Sequence, residues 1–264
     1  MTPKPSSAEH EMGGAALQID DVPPYSELAG VYDEIVIDPC HGQWAAYLDQ
    51  LWGSDKPGVR NVLDVCCGTG LMAAELIALG YQTVGVDSSP AMLARARNLL
   101  GPDVRLLQQT LPKLVIDDRF DAAISTFDGL NYLNETDFAS TLLAVGKSLR
   151  SGGWFVFDLH TDAMMHFTVS NPVVKGKSDG NVFYIRSDVD VRARTCDTQI
   201  QLTVRRSGAT FREQHRQYFH HDDDVQVALA RAGFGNVKVT DEYTNESTDS
   251  TTLRATWSAR RLAI

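Results

Sequence analysis

The chain has 264 residues, 43% of them hydrophobic, which is enough for one α/β domain with a sizeable core and an insertion. Its formal net charge of −10 argues against nucleic acid or an anionic membrane as a partner, because both call for a cationic surface. Four cysteines, two of them adjacent at Cys66 and Cys67, make neither a disulfide framework nor a zinc spacing.

No apolar run approaches membrane-spanning length, and the start Met1-Thr2-Pro3-Lys4-Pro5-Ser6-Ser7 lacks an apolar signal core, so the expected location is cytoplasmic. Residues 1–22, rich in Ser, Pro, Gly and Ala without periodicity, read as a disordered tail. Residues 23–56 read as a helical lid, with two helical pieces over 25–52 broken near Asp38-Pro39. Strands are then predicted over 61–65, 83–86, 104–108, 120–125 and 153–158, alternating with helices over 72–79, 90–99 and 138–149. Such alternation means a parallel sheet with helices on both faces. Ser89-Pro90 marks one helix start, serine as N-cap and proline at the first helical position.

After Asp158 the period changes to two over 182–186, 189–193, 200–205 and 211–218, so residues 161–219 read as an antiparallel β cap inserted into the core. The core, 57–160, resumes over 220–264 with a helix around 225–232 and strands over 236–240 and 253–258. His220-His221-Asp222-Asp223-Asp224 offers no complementary ligand spacing, so no metal is expected there, and its aspartates read as the cap of the following helix.

The chemistry concentrates in Val62-Leu63-Asp64-Val65-Cys66-Cys67-Gly68-Thr69-Gly70, an apolar strand carrying one acid that runs into a turn with two glycines. Gly68 and Gly70 allow a sharp turn and close ligand approach, and the helix that follows points its N-terminal amides at the ligand. Asp87, at the end of the next apolar run, is placed to accept hydrogen bonds from two ribose hydroxyls. Gly68-Thr69-Gly70-Leu71-Met72-Ala73 also satisfies a loose dinucleotide fingerprint. Asp64 discriminates: a pyrophosphate gains nothing from a nearby acid, whereas S-adenosylmethionine carries an ammonium and a sulfonium and no phosphate. NAD stays a weaker alternative.

Leu63-Asp64-Val65-Cys66-Cys67-Gly68-Thr69-Gly70, Gly85-Val86-Asp87-Ser88-Ser89-Pro90-Ala91-Met92-Leu93 and Leu149-Arg150-Ser151-Gly152-Gly153 resemble, in order, successive motifs of class I S-adenosylmethionine-dependent methyltransferases. Thr126-Phe127-Asp128-Gly129-Leu130-Asn131-Tyr132-Leu133, Phe157-Asp158-Leu159-His160-Thr161 and Arg212-Glu213-Gln214-His215-Arg216-Gln217-Tyr218 resemble its small-molecule branch, which includes sugar-amine and glycine N-methyltransferases. The resemblance implies a Rossmann-like, doubly wound, mostly parallel seven-stranded sheet whose last strand is antiparallel, with S-adenosyl-L-methionine as cofactor. It also implies a small-molecule methyl acceptor, an amine nitrogen first and a hydroxyl second, and a monomer or homodimer. A non-catalytic S-adenosylmethionine-binding subunit is the rival reading; it would need no open acceptor cavity.

For the cofactor the candidates are Asp64, Gly68, Gly70, Asp87, Ser88 and Met92, with Tyr32 from the lid and Phe127 beneath the methyl group. Where the family usually has an acid for the adenine amino group this chain has Gln108-Gln109-Thr110-Leu111, so Gln109, Thr110 and the Leu111 amide are the candidates for that contact. Asp128 is the first candidate base, or else a turn cap; His160, beyond the fifth strand, is the second. Period two puts Glu213, His215 and Gln217 on one strand face and Arg212, Gln214, Arg216 and Tyr218 on the other, so either His215 as a catalyst or Arg216 as a substrate contact can line the cavity. Tyr25 and Asn131 complete the candidate substrate contacts; aromatic faces such as those of Tyr25 and Tyr32 favour a cation.

Overall fold

The computed structural model describes residues 19–35 and 40–263. The expected tail over 1–18 and the expected break at Asp38-Pro39 lie outside the described residues. The described chain opens with strand β1 (Ile19–Val22), helix α1 (Tyr32–Ile35) and helix α2 (His41–Trp52). There follow β2 (Asn61–Val65), α3 (Leu71–Ala78), β3 (Gln82–Asp87), α4 (Pro90–Leu100), β4 (Arg105–Gln108), β5 (Phe120–Ser125), α5 (Glu135–Ser148) and β6 (Leu149–His160). Next come α6 (Asp162–Ser170), β7 (Val173–Ser178), β8 (Asn181–Asp190), β9 (Thr195–Thr203) and β10 (Thr210–Tyr218), and last α7 (Asp222–Arg231), β11 (Phe234–Asp241) and β12 (Arg254–Arg261).

The larger sheet has seven strands in the order β11-β12-β6-β5-β2-β3-β4. β12 pairs antiparallel with both neighbours, and the remaining pairs are parallel. From β2 the chain winds outward through β3 and β4, then returns to β5 on the other side, so the strand order reverses between β2 and β5. Ligands bind at the carboxyl ends of the strands beside such a reversal. Both faces are covered: Leu63 and Val65 pack with Phe155, Phe157 and Trp257 on one side, and Val62 packs with Trp44, Leu48 and Trp52 on the other. Double coverage is why β2, β5 and β6 carry near-continuous apolar runs.

Helix starts follow their caps. Ser89 Oγ accepts from Met92 N with Pro90 at the first position, and Asn134 and Thr161 cap α5 and α6 by accepting from Asp137 N and Met164 N. The aspartates ahead of Val225 do not cap α7. They occupy its first turn, and the N-cap is His221 with no side-chain bond, so the acids act on the helix dipole instead.

The second sheet has five strands in the order β1-β10-β9-β8-β7. β1 lies in the segment expected to be disordered, yet it pairs in parallel with β10, Ile19 opposite Thr210 and Val22 opposite Glu213. The two strands expected over 182–186 and 189–193 are one, β8, with Ala193 in the turn after it. Helix α6 and edge strand β7 were not foreseen.

Candidate active site

A cavity of about 700 Å³ opens at the carboxyl ends of β2, β3 and β5, bordered on the amino-terminal side by Tyr25, Tyr32 and His41. Its lining includes Tyr25, Tyr32, Gly68, Asp87, Ser88, Met92, Gln109, Thr110, Leu111 and Phe127 among the expected residues. Tyr132, on the loop of Asn131, also lines it, as do Cys66, Thr126 and Leu133 from the same motifs and His41, none of which the sequence had given a role at the site.

Asp87 binds the glycine turn to β3, because its carboxylate accepts from Gly68 N at 2.9 Å and from Ser89 N at 2.9 Å. Burial raises its pKa, against the lowering by the Ser89 and Gly68 amides. A Cβ on Gly68, at φ +54°, would meet no atom within 4 Å, so the missing side chain leaves open the space where the residue borders the cavity. Gly70 serves packing instead: at φ +86° its Cβ would come within 3.0 Å of Leu100 and 3.1 Å of Ala96. Asp64 is fully buried on β2, outside the cavity lining, and neither carboxyl oxygen has a hydrogen-bond partner among the described residues. Burial, then the nearby Asp87, pushes its pKa up to about 8.

Residues 25–33 are tied down by polar contacts. Thr69 donates to Asp33 Oδ1 at 2.6 Å, Ser89 Oγ donates to the Tyr25 carbonyl at 2.9 Å, and the Glu213 carboxylate accepts from the amides of Tyr25, Glu27 and Leu28. Gln109 turns its side chain onto its own loop, donating to Val115 O and accepting from Val115 N. Of the adenine candidates, this leaves Thr110 and Leu111 as the cavity residues whose polar groups are not committed in that way.

The loop after β5 is held in a sparsely populated conformation. Phe127 and Asp128 have φ of 61° and 50°, and their amides donate to the two oxygens of fully buried Asp158, at 2.8 and 2.6 Å. Tyr243 OH donates to Asp158 at 2.9 Å. Arg254 bridges Asp158 and Asp128 at 3.4 and 3.2 Å, and its guanidinium lies 4.9 Å from the centre of the Phe127 ring. Burial alone would lower the Arg254 pKa, but Asp158 and Asp128 outweigh it and raise it.

Asp128 is correspondingly committed. Besides Arg254 it meets His160 Nε2 at 3.5 Å and accepts from Gln217 Nε2 at 2.6 Å. Burial would raise its pKa, yet His160, Arg254 and Gln217 together bring it down to about 2. A carboxylate of that strength has little affinity for a substrate proton near neutral pH. Neither Asp128 nor His160 lines the cavity.

Two substrate candidates lie elsewhere. Asn131 is fully buried, donating to Tyr218 O and accepting from His160 N, so it joins the β5 loop to β10 and β6. Arg216 is on the outer face of β10, its side chain 58% exposed and forked onto Asp197. Its strand is polar on both faces, and the inner one holds Glu213, His215 and Gln217. His215 is buried, with Nδ1 3.0 Å from Tyr132 OH and Nε2 3.0 Å from Glu213.

Residues 62–153 match a family described as a methyltransferase domain. Over 246 residues the chain is 26% identical to a Geobacillus sp. protein named as a methyltransferase, covering 90% of this chain and 99% of that one. Over 199 residues it is 30% identical to the dTDP-3-amino-3,4,6-trideoxy-alpha-D-glucopyranose N,N-dimethyltransferase of Streptomyces venezuelae, covering 72% and 81% of the two chains. A crystal structure of an S-adenosylmethionine-dependent methyltransferase from Clostridium acetobutylicum shares the fold with a TM-score of 0.80 at 24% identity, over 90% of this chain and 99% of that one.

The chain belongs to the S-adenosylmethionine-dependent methyltransferases. S-adenosylmethionine is its cofactor, which settles the choice against a dinucleotide. The site's own residues fit that group. The orphaned Asp64 carboxyl suits an ammonium, the open space at Gly68 suits close approach, and no phosphate has to be placed beside Asp64 and Asp87.

Proposed function

We propose that this methyltransferase acts on a small molecule and transfers the methyl group to an amine nitrogen. The observation that carries the reading is the continuity of the cavity, which runs from the glycine turn and Asp87 to a wall of Tyr25, Tyr32 and Tyr132 closed in by the lid. The amine-directed activity named for the Streptomyces venezuelae relative supports it.

The cofactor, when bound, supplies a methyl group activated by a sulfonium. Asp87 would hold the ribose hydroxyls and Asp64 the methionyl ammonium, directly or through water, while Met92, Thr110 and the Leu111 amide would border adenine. The ring faces of Tyr25 and Tyr32 favour cationic sulfonium and ammonium groups. Placing the nucleophile in line supplies much of the rate, and an enclosed aromatic wall does that while excluding water. Asp128 is better suited to anchoring than to proton transfer, since it joins the β5 loop to β12 through Arg254 and to the cap through Gln217.

The test is a methyl-donor assay with mass detection against aminosugars, amino acids, aryl and alkyl amines and phenols. N-methylated product is expected. Product from phenols or sugar hydroxyls alone would overturn the amine assignment.

A further inference from the structure

A connected line of side chains runs from the cavity wall into the buried face of β10. Tyr25 Oη lies 2.6 Å from Tyr132 Oη, Tyr132 Oη 3.0 Å from His215 Nδ1, and His215 Nε2 3.0 Å from Glu213 Oε2. Both tyrosines line the cavity. His215 and Glu213 are 4% and 2% exposed and do not line it; the tyrosines stand between.

The direction of the protons follows from Glu213. Burial would raise its pKa, but His215 and the Leu28 and Tyr25 amides outweigh that and lower it. An ionised carboxylate only accepts, so His215 gives its Nε2 hydrogen to Glu213, and the neutral tautomer that does so has its Nδ1 lone pair facing Tyr132. Tyr132 then donates to His215 and accepts from Tyr25, whose oxygen keeps a lone pair for a proton arriving from the cavity.

We propose that Tyr25, Tyr132 and His215 form a proton relay, oriented by Glu213, that removes the ammonium proton of the acceptor amine before methylation. The proposal rests on the amine reading above. One N–H bond breaks at the acceptor, leaving the lone pair on nitrogen, and its proton binds Tyr25 Oη. The Tyr25 proton passes to Tyr132, and the Tyr132 proton to His215 Nδ1. Both phenols are restored, and the positive charge rests on an imidazolium against Glu213.

Burial above all, and for Tyr25 its closeness to Tyr132, raises both hydroxyls above the ordinary tyrosine range, so a tyrosinate is not populated and the transfers are concerted. The other charged or titratable groups facing the relay are Tyr32 from the lid and Asp128 from the β5 loop, and the charge of Asp128 favours a cation at its end. Tyr25 and the three amides on Glu213 all belong to the lid, so the relay is assembled when the lid docks.

The test compares the full-length wild type with Tyr132→Phe and His215→Gln, using S-adenosylmethionine and the panel amine turned over fastest. Each variant should lose about a hundredfold or more in kcat near neutral pH. The deficit should vanish above the pKa of that amine, where the acceptor arrives neutral, with cofactor affinity unchanged. Wild-type kcat near neutral pH in a folded variant, or a deficit equal at every pH, overturns the relay and leaves the amine reading standing. A second readout needs no turnover: in histidine-labelled protein with S-adenosylhomocysteine, adding the amine should move the His215 carbon resonance to its imidazolium position. An unmoved resonance overturns the relay. A wild type that methylates hydroxyls alone overturns the amine reading and, with it, the ammonium as the relay's proton donor.

Discussion

Replacing Asp64 by asparagine should make the cofactor-free protein more stable and the cofactor bind worse. With its folded-state pKa raised to about 8 from 3.8, Asp64 is neutral in the folded cofactor-free protein and ionised in the unfolded chain at pH 7. The sign follows from linkage: the stability tied to this group is fully present below about pH 4 and is lost as pH rises toward about 8. Near pH 7 the two states differ by about three pH units' worth of protonation, or about 4 kcal/mol at about 1.36 kcal/mol per unit. Asparagine escapes this penalty. Its buried, unpartnered amide costs about 1–3 kcal/mol of its own, so a net gain of about 2 kcal/mol is expected. The gain should disappear near pH 5, where the penalty has fallen to about 1.6 kcal/mol and the cost of the amide cancels it. Removing the charge proposed to meet the methionyl ammonium should at the same time weaken S-adenosylmethionine binding by about 1.5–3 kcal/mol, tenfold or more. Urea unfolding of the cofactor-free protein at both pH values and titration calorimetry with S-adenosylmethionine check the two halves. A variant less stable than wild type near pH 7, or one that binds the cofactor equally well, would refute the argument.

Asp87→Ala should weaken cofactor binding by a few kcal/mol, since it removes the proposed ribose acceptor and frees the Gly68 and Ser89 amides, and calorimetry on the folded variant reads the loss. Gly68→Val, which puts a branched side chain into the open space on the cavity side and strains a backbone at φ +54°, should abolish measurable binding in the same assay. Arg254→Met leaves Asp158 buried and Asp128 half-buried without their shared guanidinium and should destabilise the fold by about 3–5 kcal/mol in chemical denaturation; a change under 1 kcal/mol would show that the ion cluster holds nothing together. Hydrogen exchange across residues 25–35 and 40–47 should slow when S-adenosylmethionine is added, because Tyr25, Tyr32 and His41 line the cavity, and identical exchange with and without it would count against the proposed lid.

What the sequence made legible was local. The glycine turn, Asp87 and the Ser89 cap are each written in a few adjacent residues whose backbone demands are nearly independent of the rest of the chain. Alternation of strand and helix extended that to the doubly wound sheet. Contacts between distant segments were not legible. Arg254 meets Asp158 across 96 positions, and the available hint was that two acids, Asp128 and Asp158, end adjacent strands and call for a cation between them. In β10 polar residues occupy both faces, so period two could not say which face turns inward. The lid amides on Glu213 and the Tyr132 hydroxyl on His215 decide it, and Arg216 is left in solvent. β7 hid for a related reason: Lys175, Gly176 and Lys177 on an exposed edge break the apolar alternation that marks a half-buried strand.

The parallel pairing of β1 with β10 sets the order in which the molecule can be finished. Ile19 finds its partner at Thr210, so the second sheet is incomplete while synthesis has not passed β10. At about 5–20 residues per second, the early segment waits on the order of ten seconds or more with its edge unpaired. β2 to β5 are contiguous enough to begin pairing in that interval. Tyr25 and Tyr32 follow β1 directly, so the roof of the cavity closes only after β10 emerges, and a nascent chain can carry a formed glycine turn before it carries an enclosed site.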